Sequence, residues 1–343
     1  MNNFVQKKLK KEFYKESGEH AWVVGTSGSG KTDFMIELLK GFKHHVPNET
    51  IIWRDYGKES ETLALLQYYP IVLFHPKGTT FDYKLTKKQK DFLPFELTQV
   101  EFETTEELLD SLQKKAINVI SMRRYLRKPH LFTRFWSNFF INFIDYALDA
   151  QLPRPLTFFI DEMNNITPSD RHFFTEKQAT LTNLIVYNIQ NLRATQNRLL
   201  PSSQNPSSLN KGIRTQIQWY FFKRCNESIS TDIGHFVKAQ AWVQALRRDQ
   251  IIIAGPSREF SDPISFIPKN LPNVDENLLP KIDYGGQFKF KEEEKKADIK
   301  QENIELKMKI AKELKSLGKT KKEIADFIGM SMSQVDRYIH DRL

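Results

Sequence analysis

The stretch GTSGSGKT, residues 25–32, constrains the fold of this chain more than any other part of its sequence. It fits the pattern G-x-x-x-x-G-K-[ST], follows the apolar run HAWVV (20–24) and precedes DFMIELLKGF (33–42), whose apolar residues have helical spacing. A glycine-rich turn between a strand and a helix lets main-chain N–H groups surround phosphate oxygens at the positive end of the helix. The sequence therefore predicts a phosphate-binding loop.

The last two residues of this loop predict the nucleotide and its metal. Lys31 is expected to reach the β- and γ-phosphates, and Thr32 is expected to place its hydroxyl on Mg²⁺. ATP and Mg²⁺ are thus the predicted cofactors. The predicted nucleotide-binding residues are Gly25, Thr26, Ser27, Gly28, Ser29, Gly30, Lys31, Thr32 and Asp161.

A pair of acidic residues ends the apolar run LTFFIDE, residues 156–162. Asp161 is expected to hold the Mg²⁺ shell together with Thr32, and Glu162 is expected to activate the attacking water. Two adjacent acids after a buried strand favour an ATPase that splits water over a kinase. Lys31 and Glu162 are therefore predicted catalytic residues.

Apolar runs alternate with helical patterns through most of the chain, which predicts an α/β fold. Continuously apolar strands are typical of a mostly parallel sheet with helices on both faces. The predicted strands are 20–24, 51–55, 70–76, 97–103, 117–125, 156–162, 198–204, 216–224 and 250–255, and the predicted helices are 33–42, 104–116, 131–150 and 170–197.

The bulk properties favour a reducing compartment and a polyanionic partner. The 343 residues carry a formal net charge of +9, which favours nucleic acid as that partner. The single cysteine, Cys225, allows no disulfide framework within the chain. The apolar stretch 131–150 contains Arg134 and Asp145 and is too polar for a membrane span, and the N-terminus has no signal-peptide pattern. We therefore expect a cytoplasmic protein without a membrane span.

A further set of residues resembles the HerA–FtsK superfamily of DNA-pumping ATPases, which includes conjugative coupling and viral packaging ATPases. Besides the motifs at Lys31 and Asp161-Glu162, the set comprises Asp55 in IIWRD, Arg193, and Gln204 in SSQNPSSLNKGIRTQ. The run 246–269 also resembles the closing hairpin of that family, so the resemblance covers about residues 19–270. It implies a P-loop NTPase of the RecA/HerA-like type that forms a hexameric ring around double-stranded DNA.

The resemblance also implies two further catalytic residues. Arg193 would act as an arginine finger on the nucleotide of the neighbouring subunit, with Arg198 and Arg214 as alternatives for this role. Gln204 would place its side-chain amide near the γ-phosphate at the end of strand 198–204. Pro201 within that strand removes a main-chain donor, which favours an edge or a bulge over a central position.

The C-terminal end resembles a helix-turn-helix. Residues 320–343 place small Ala325 and apolar Val335 around Gly329, and Met332 to Asp341 would form the recognition helix. The predicted DNA-binding residues are Ser333, Gln334, Arg337 and His340. The alternative is a helical hairpin for protein contacts. The expected organisation is a basic lead-in (1–18), an ATPase domain (19–270), a linker (271–300) and a helix-turn-helix domain (301–343).

Together these features predict an ATP-driven motor that moves double-stranded DNA. The expected role is packaging of the genome of a virus or a mobile element, with a capsid, portal or mobilisation partner, in the host cytoplasm if the chain is viral. The alternatives are a pump for conjugation or segregation, and a nucleotide-switched DNA-binding adaptor with little turnover.

Overall fold

A computed structural model describes most of the chain. The chain divides into two compact units, 1–287 and 288–343. The residues described are 9–10, 12–15, 17–55, 65–79, 81–82, 95–122, 125, 128–169, 173, 175–227, 240–256, 260–265, 281–282, 311–312, 314–316, 318–328 and 331–339.

The first unit contains a ten-stranded sheet in the order β11-β10-β9-β1-β8-β7-β2-β6-β3-β5. All neighbours from β9 to β5 in this order pair in parallel, and β10 and β11 add an antiparallel edge. The prediction of a mostly parallel sheet is confirmed. The strands are β1 Ala21–Val24, β2 Thr50–Asp55, β3 Ile71–Pro76, β5 Leu97–Phe102, β6 Ile117–Ser121, β7 Leu156–Ile160, β8 Asn197–Ser203, β9 Trp219–Phe222, β10 Gln250–Ala254 and β11 Ile264–Ser265.

A separate two-stranded sheet pairs β4 with β12, and helices α1 to α6 belong to the same unit. The two short strands are β4 Phe81–Asp82 and β12 Lys281–Ile282. The helices are α1 Lys31–His45, α2 Thr105–Asp110, α3 Pro129–Leu148, α4 Glu176–Ala194, α5 Lys211–Arg214 and α6 Gln240–Ala245. No helix in the described part of the chain combines the length and the apolar character that a bilayer crossing requires.

Alternate residues of each buried strand point to opposite faces of the sheet, and helices pack on both faces. On one face, α1 places Phe42 against Phe159, which stacks on Trp53. On the other face, Trp136 and Phe139 of α3 pack against Phe158. The two faces thus share β7, whose adjacent residues Phe158 and Phe159 are both fully buried.

Strand β8 has a central position in the sheet, so the prediction of an edge position or a bulge at Pro201 is wrong. The strand pairs with β7 on one side and with β1 on the other, and Pro201 is aligned with Ile160. Proline removes only its own N–H from the ladder. The remaining pairs, such as Val24 with Ser203, continue on the β1 side. This central position is what brings the end of β8 next to the phosphate-binding loop.

The N-terminal segment that we described as a lead-in contributes to the core of the first unit. Phe13 is fully buried and contacts the rings of Phe42, Trp219 and Phe221. Tyr14 covers Gly41 so closely that a Cβ there would lie 2.1 Å from the tyrosine ring. The sequence did not indicate these contacts, because the lysines around Phe13 and Tyr14 are typical of an exposed segment.

The second unit contains the helices α7 Lys321–Ile328 and α8 Met332–Ile339. The Glu323 N–H donates to the Thr320 hydroxyl at 3.3 Å, and the Glu323 carboxylate accepts from the Thr320 N–H at 2.8 Å, so α7 begins with a capping box. Ile324, Ala325 and Val335 are buried together. Gly329, the glycine of the helix-turn-helix pattern, lies outside the described residues.

Candidate nucleotide-binding site

The carboxyl ends of three neighbouring parallel strands bring the predicted site residues together. The loop 25–30 follows β1, Gln204 follows β8, and the acids Asp161 and Glu162 follow β7. The strand order β1-β8-β7 places Gln204 between the loop and the acids. In open parallel sheets, ligands bind at this edge.

The loop has the main-chain geometry that a phosphate cradle requires. Gly28 and Gly30 have positive φ angles of 74° and 85°, a region that glycine enters without strain. A Cβ on Gly25 would lie 2.6 Å from the Lys223 Cβ, so only glycine fits there. A Cβ on Gly28 would meet no atom within 4 Å, so open space lies beside the loop. The Thr26 N–H donates to the Arg224 carbonyl at 2.9 Å, which ties the loop to the end of β9.

Lys31 lies folded over its own loop. Its Nζ donates to the Gly25 carbonyl at 2.8 Å and to the Thr26 carbonyl at 3.4 Å, and it lies 3.9 Å from the Glu162 Oε1. The side chain is 7% exposed. An ammonium in this position lies at the mouth of the cradle, where it balances the buried carboxylate of Glu162.

The acid pair is held by the end of β8. The Ser202 hydroxyl donates to the Asp161 Oδ1, and the Glu162 N–H donates to both Asp161 Oδ1 (3.1 Å) and Ser202 Oγ (3.2 Å). Glu162 has a positive φ of 50°, which is uncommon for a residue other than glycine. The turn after β7 therefore directs the Glu162 side chain towards the loop instead of along the strand.

Gln204 contacts the predicted catalytic acid directly. Its Nε2 donates to the Glu162 Oε1 at 3.0 Å. The amide, the carboxylate and the Lys31 ammonium thus form one continuous set of contacts. We expected Gln204 near the γ-phosphate, and its observed partner is the residue predicted to activate water. The amide therefore orients this carboxylate.

Two basic residues beside the loop escaped the sequence analysis. Lys223 is fully buried behind Gly25, and its Nζ donates to the carbonyls of Arg248 and Gln250. Burial lowers the pKa of Lys223 to about 7, against the raising effect of Asp33. The Arg248 guanidinium binds the Asp33 carboxylate at 3.0 Å. The position of Lys223 at a strand end next to the loop was the available signal.

A second polar contact lies farther along the same edge. The Ser121 hydroxyl at the end of β6 donates to the Asp55 Oδ2 at 2.9 Å at the end of β2. Asp55 is the acid that contributed to the family resemblance, and it is 8% exposed. The preceding residue, Arg54, is buried against the turn of the acid pair. A charge inside the apolar run IIWRD was a signal that sequence reasoning did not use.

The three arginines considered for the finger have different surroundings. Arg193 is exposed in the last turn of α4, and its carbonyl lies against Gly18 before β1, at the opposite edge of the sheet from the loop. It therefore cannot serve the site of its own subunit. Arg198 is 1% exposed and donates to the carbonyls of Glu19 and Lys15. Arg214 is 6% exposed and donates to the Pro206 carbonyl. Arg198 and Arg214 are thus buried, whereas Arg193 is exposed.

The residues present fit ATP with Mg²⁺. The described residues contain no group of three or more His, Cys, Asp or Glu that could hold a metal ion by themselves. Mg²⁺ does not need such a group, because it keeps several waters and uses one or two protein ligands with the phosphates. Thr32 in the first turn of α1 and the buried Asp161 provide these ligand types, and the open space at Gly28 admits phosphate.

The predicted DNA-binding residues lie in or after the last helix. Ser333, Gln334 and Arg337 belong to α8, although their side chains are outside the structural description. His340 lies outside the described residues. Met332 at the start of this helix is 58% exposed.

The fold is similar to solved structures of NTPases from several sources. The genome packaging NTPase B204 from Sulfolobus turreted icosahedral virus 2, in complex with ATP-gammaS, has a TM-score of 0.45 and 13% identity over 74% of this chain and 100% of its own. The DNA-packaging ATPase B204 from Sulfolobus Turreted Icosahedral Virus has a TM-score of 0.40 and 14% identity, with the same two coverages.

The cytoplasmic domain of the type VII secretion ATPase EccC from Thermomonospora curvata has a TM-score of 0.37 and 13% identity over 77% of this chain and 27% of its own. No family model matches the sequence, and no curated protein matches it. At these low scores the likenesses do not establish an activity. The chain has an α/β fold with a mostly parallel sheet, and P-loop NTPases of packaging and secretion are among its structural neighbours.

Proposed function

We propose that this chain hydrolyses ATP and uses the energy to translocate double-stranded DNA. The proposed process is the packaging of the genome of a virus or a mobile element. The observation that carries the proposal is the cluster at the carboxyl edge of the sheet. There the Glu162 Oε1 lies 3.0 Å from the Gln204 amide and 3.9 Å from the Lys31 ammonium. A buried carboxylate between an amide and the loop lysine is suited to accept a proton from water beside bound phosphate.

Each side chain of the cluster has a separate task in this proposal. Lys31 would leave its loop carbonyls for the β- and γ-phosphates, and Gln204 would orient the Glu162 carboxylate. Thr32 and Asp161 would hold Mg²⁺, which neutralises charge that develops on the phosphate oxygens. Glu162 would accept the proton from the attacking water.

The proposed partner is double-stranded DNA, enclosed by a homo-oligomeric ring, with a capsid or portal protein as a further partner. The net charge of +9 supports a polyanion as the substrate. The set Lys31, Asp55, Asp161, Arg193 and Gln204, which resembles the DNA-pumping ATPases, supports a ring that we expect to be hexameric.

We expect Arg193 to act on the site of the neighbouring subunit. Arg193→Ala should abolish most turnover, because a guanidinium at the transferred phosphate is worth about 10³-fold or more in rate. Mixing Arg193→Ala with Glu162→Gln subunits should restore part of the hydrolysis. Some mixed interfaces then combine an intact Glu162 with an intact Arg193. Steady-state ATPase assays across mixing ratios measure this recovery.

The control for this experiment is the oligomer itself. Native mass spectrometry must show that mixed assemblies form before rates are compared. Mixed assemblies with no recovery at any ratio would refute the role in trans. A monomer with full activity would refute the ring as well.

We expect the second unit to select DNA and not to drive it. A chain that ends at Gln287, the last residue of the first compact unit, keeps the pairing of β12 with β4. It should retain ATPase activity on non-specific duplex within about twofold, because its hydrolytic cluster is complete. It should lose preference for a particular start sequence, since non-specific grip comes from phosphate contacts. Competition between duplexes of different sequence measures this preference. A folded, assembled truncation without ATPase activity would place the second unit in the motor.

The experiment that tests the proposed function is ATP hydrolysis with and without duplex DNA. A motor should hydrolyse ATP continuously and faster when duplex is present. A nucleotide-switched adaptor should bind DNA in an ATP-dependent way with little turnover. Stimulation by single strands alone, or by no nucleic acid, would contradict the proposal. A pump for conjugation or segregation would share the stimulation, and the loading of empty capsids distinguishes packaging from it.

A further inference from the structure

Arg54 is a buried charge directly beneath the acid pair. It lies in the apolar strand β2 and is 1% exposed. Its guanidinium carbon lies 5.3 Å from the ring centroid of Phe132 and 5.4 Å from that of Trp136, both in α3. A buried guanidinium requires hydrogen-bond acceptors to offset its lost hydration. The identity of these acceptors indicates what Arg54 does.

The guanidinium continues the β-ladder beyond the end of the strand. The pairing of β2 with β7 ends where Arg54 lies opposite Ile160. Asp161 and Glu162 follow β7, and the main-chain carbonyls of both accept a hydrogen bond from the Arg54 Nη1, that of Glu162 at 3.0 Å. One side chain therefore supplies the donor that the main chain of β2 no longer provides.

Glu162 depends on this support more than an ordinary turn residue does. Its left-handed main chain, with φ of 50°, persists only where the surroundings determine it from several sides. Its N–H is held by Asp161 and Ser202, and its carbonyl is held by Arg54. The direction of the carboxylate towards Gln204 and Lys31 follows from this main-chain conformation.

We propose that Arg54 is a positioning residue for hydrolysis, which acts by holding the left-handed turn of Glu162 and so the direction of its carboxylate. This inference rests on the proposed function. Arg54 has no role in holding phosphate in this proposal, because its guanidinium faces main-chain carbonyls and the rings of α3. Both carbonyls accept from one nitrogen, Nη1, while the planar guanidinium lies over the rings of Phe132 and Trp136. A lysine ammonium keeps a donor but lacks the planar group that packs on these rings.

Arg198 provides a control because it is a buried arginine that also donates to main-chain carbonyls, at the opposite edge of the sheet, although it lies 3.8 Å from the Glu49 carboxylate as well. It is also 1% exposed, stacks on Phe42 at 4.4 Å, and donates to main-chain carbonyls, those of Glu19 and Lys15. A role in stability alone predicts equal consequences for the two arginines. A role in positioning predicts that only Arg54 changes the catalytic rate.

The test compares Arg54→Met, Arg54→Lys and Arg198→Met in the full chain. For each variant, kcat, the Kd of a fluorescent non-hydrolysable ATP analogue, and Tm are measured. We expect Arg54→Met to lower kcat on the order of 100-fold, the cost of a catalytic group displaced by about 1 Å. Its Kd should stay within about twofold of wild type, because the loop is untouched. Arg54→Lys should recover part of the rate. Arg198→Met should lower Tm and leave the kcat of the folded protein unchanged.

Two results would overturn the inference. Wild-type kcat in Arg54→Met is one, and equal losses of kcat in Arg54→Met and Arg198→Met at equal loss of Tm is the other. If Arg54→Met does not fold, Arg54→Lys decides, and wild-type kcat in that variant overturns the inference. A Glu162→Gln control separates the two proposals. If it stops turnover while Arg54 variants are normal, only the inference fails. If wild-type protein hydrolyses no ATP, both fail.

Discussion

Glu162→Gln should bind ATP and fail to hydrolyse it. The amide keeps the size of the carboxylate and can still contact the Gln204 side chain, which lies 3.0 Å from Oε1 in the native protein. It cannot accept a proton from water, and loss of a general base costs about 10²-fold to 10⁴-fold in rate. Stopped-flow binding of ATP and phosphate-release assays measure the two properties separately.

The matched control for this variant is Glu37→Gln. Glu37 is also a buried glutamate, in α1, but it is paired with Lys40 at 2.7 Å and has no contact with the acid pair. Its variant should hydrolyse ATP at a rate close to that of wild type. If Glu162→Gln released phosphate as fast as wild type, a different residue would have to be the base.

Lys31→Ala should lose both nucleotide affinity and turnover. A hydrogen bond between an ammonium and phosphate contributes about 1.5–3 kcal/mol, so Kd should rise roughly 10-fold to 100-fold. Turnover should become undetectable, because the same charge stabilises the γ-phosphoryl group as it departs. Lys31 lies 2.8 Å from the Gly25 carbonyl, so the side chain is already at the cradle. Isothermal titration with ATP and steady-state assays measure the two losses.

Lys40→Ala is the control for Lys31→Ala. Lys40 belongs to the same helix but pairs with Glu37 and lies over the Tyr68 ring. Its loss should leave Kd and kcat unchanged. Equal effects of the two substitutions would show that the helix, and not the position of the ammonium at the loop, determines affinity.

The sequence was sufficient to predict most of the fold, because buried parallel strands are continuously apolar. The runs at 51–55, 156–162 and 250–255 became β2, β7 and β10 with shifts of at most two residues. The sequence pattern was also sufficient to select Lys31, Glu162 and Gln204, which the structure brings into contact. Glu162 and Gln204 are recognisable because they follow buried strands, where side chains of parallel strands meet, and Lys31 because it ends the glycine-rich loop.

The remaining contacts depend on strand order, which periodicity does not encode. That β8 lies between β1 and β7 determines the contact of Gln204 with Glu162 and places Pro201 in the middle of the sheet. Arg54 and Lys223 are buried charges whose acceptors are main-chain carbonyls, so no partner residue type marks them in the sequence. Arg193, which the resemblance assigns to the nucleotide of a neighbouring subunit, lies at the opposite sheet edge from the loop of its own chain.

The central claim is that hydrolysis at the cluster of Lys31, Glu162 and Gln204 drives movement along duplex DNA. Displacement of a fluorescent third strand from a duplex tests it most directly, because a bound protein that does not move leaves the triplex intact. Wild-type protein should displace the strand only with hydrolysable ATP, and Glu162→Gln should bind the duplex without displacing it. Wild-type protein that binds the duplex and hydrolyses ATP, yet leaves the third strand in place, would contradict the claim.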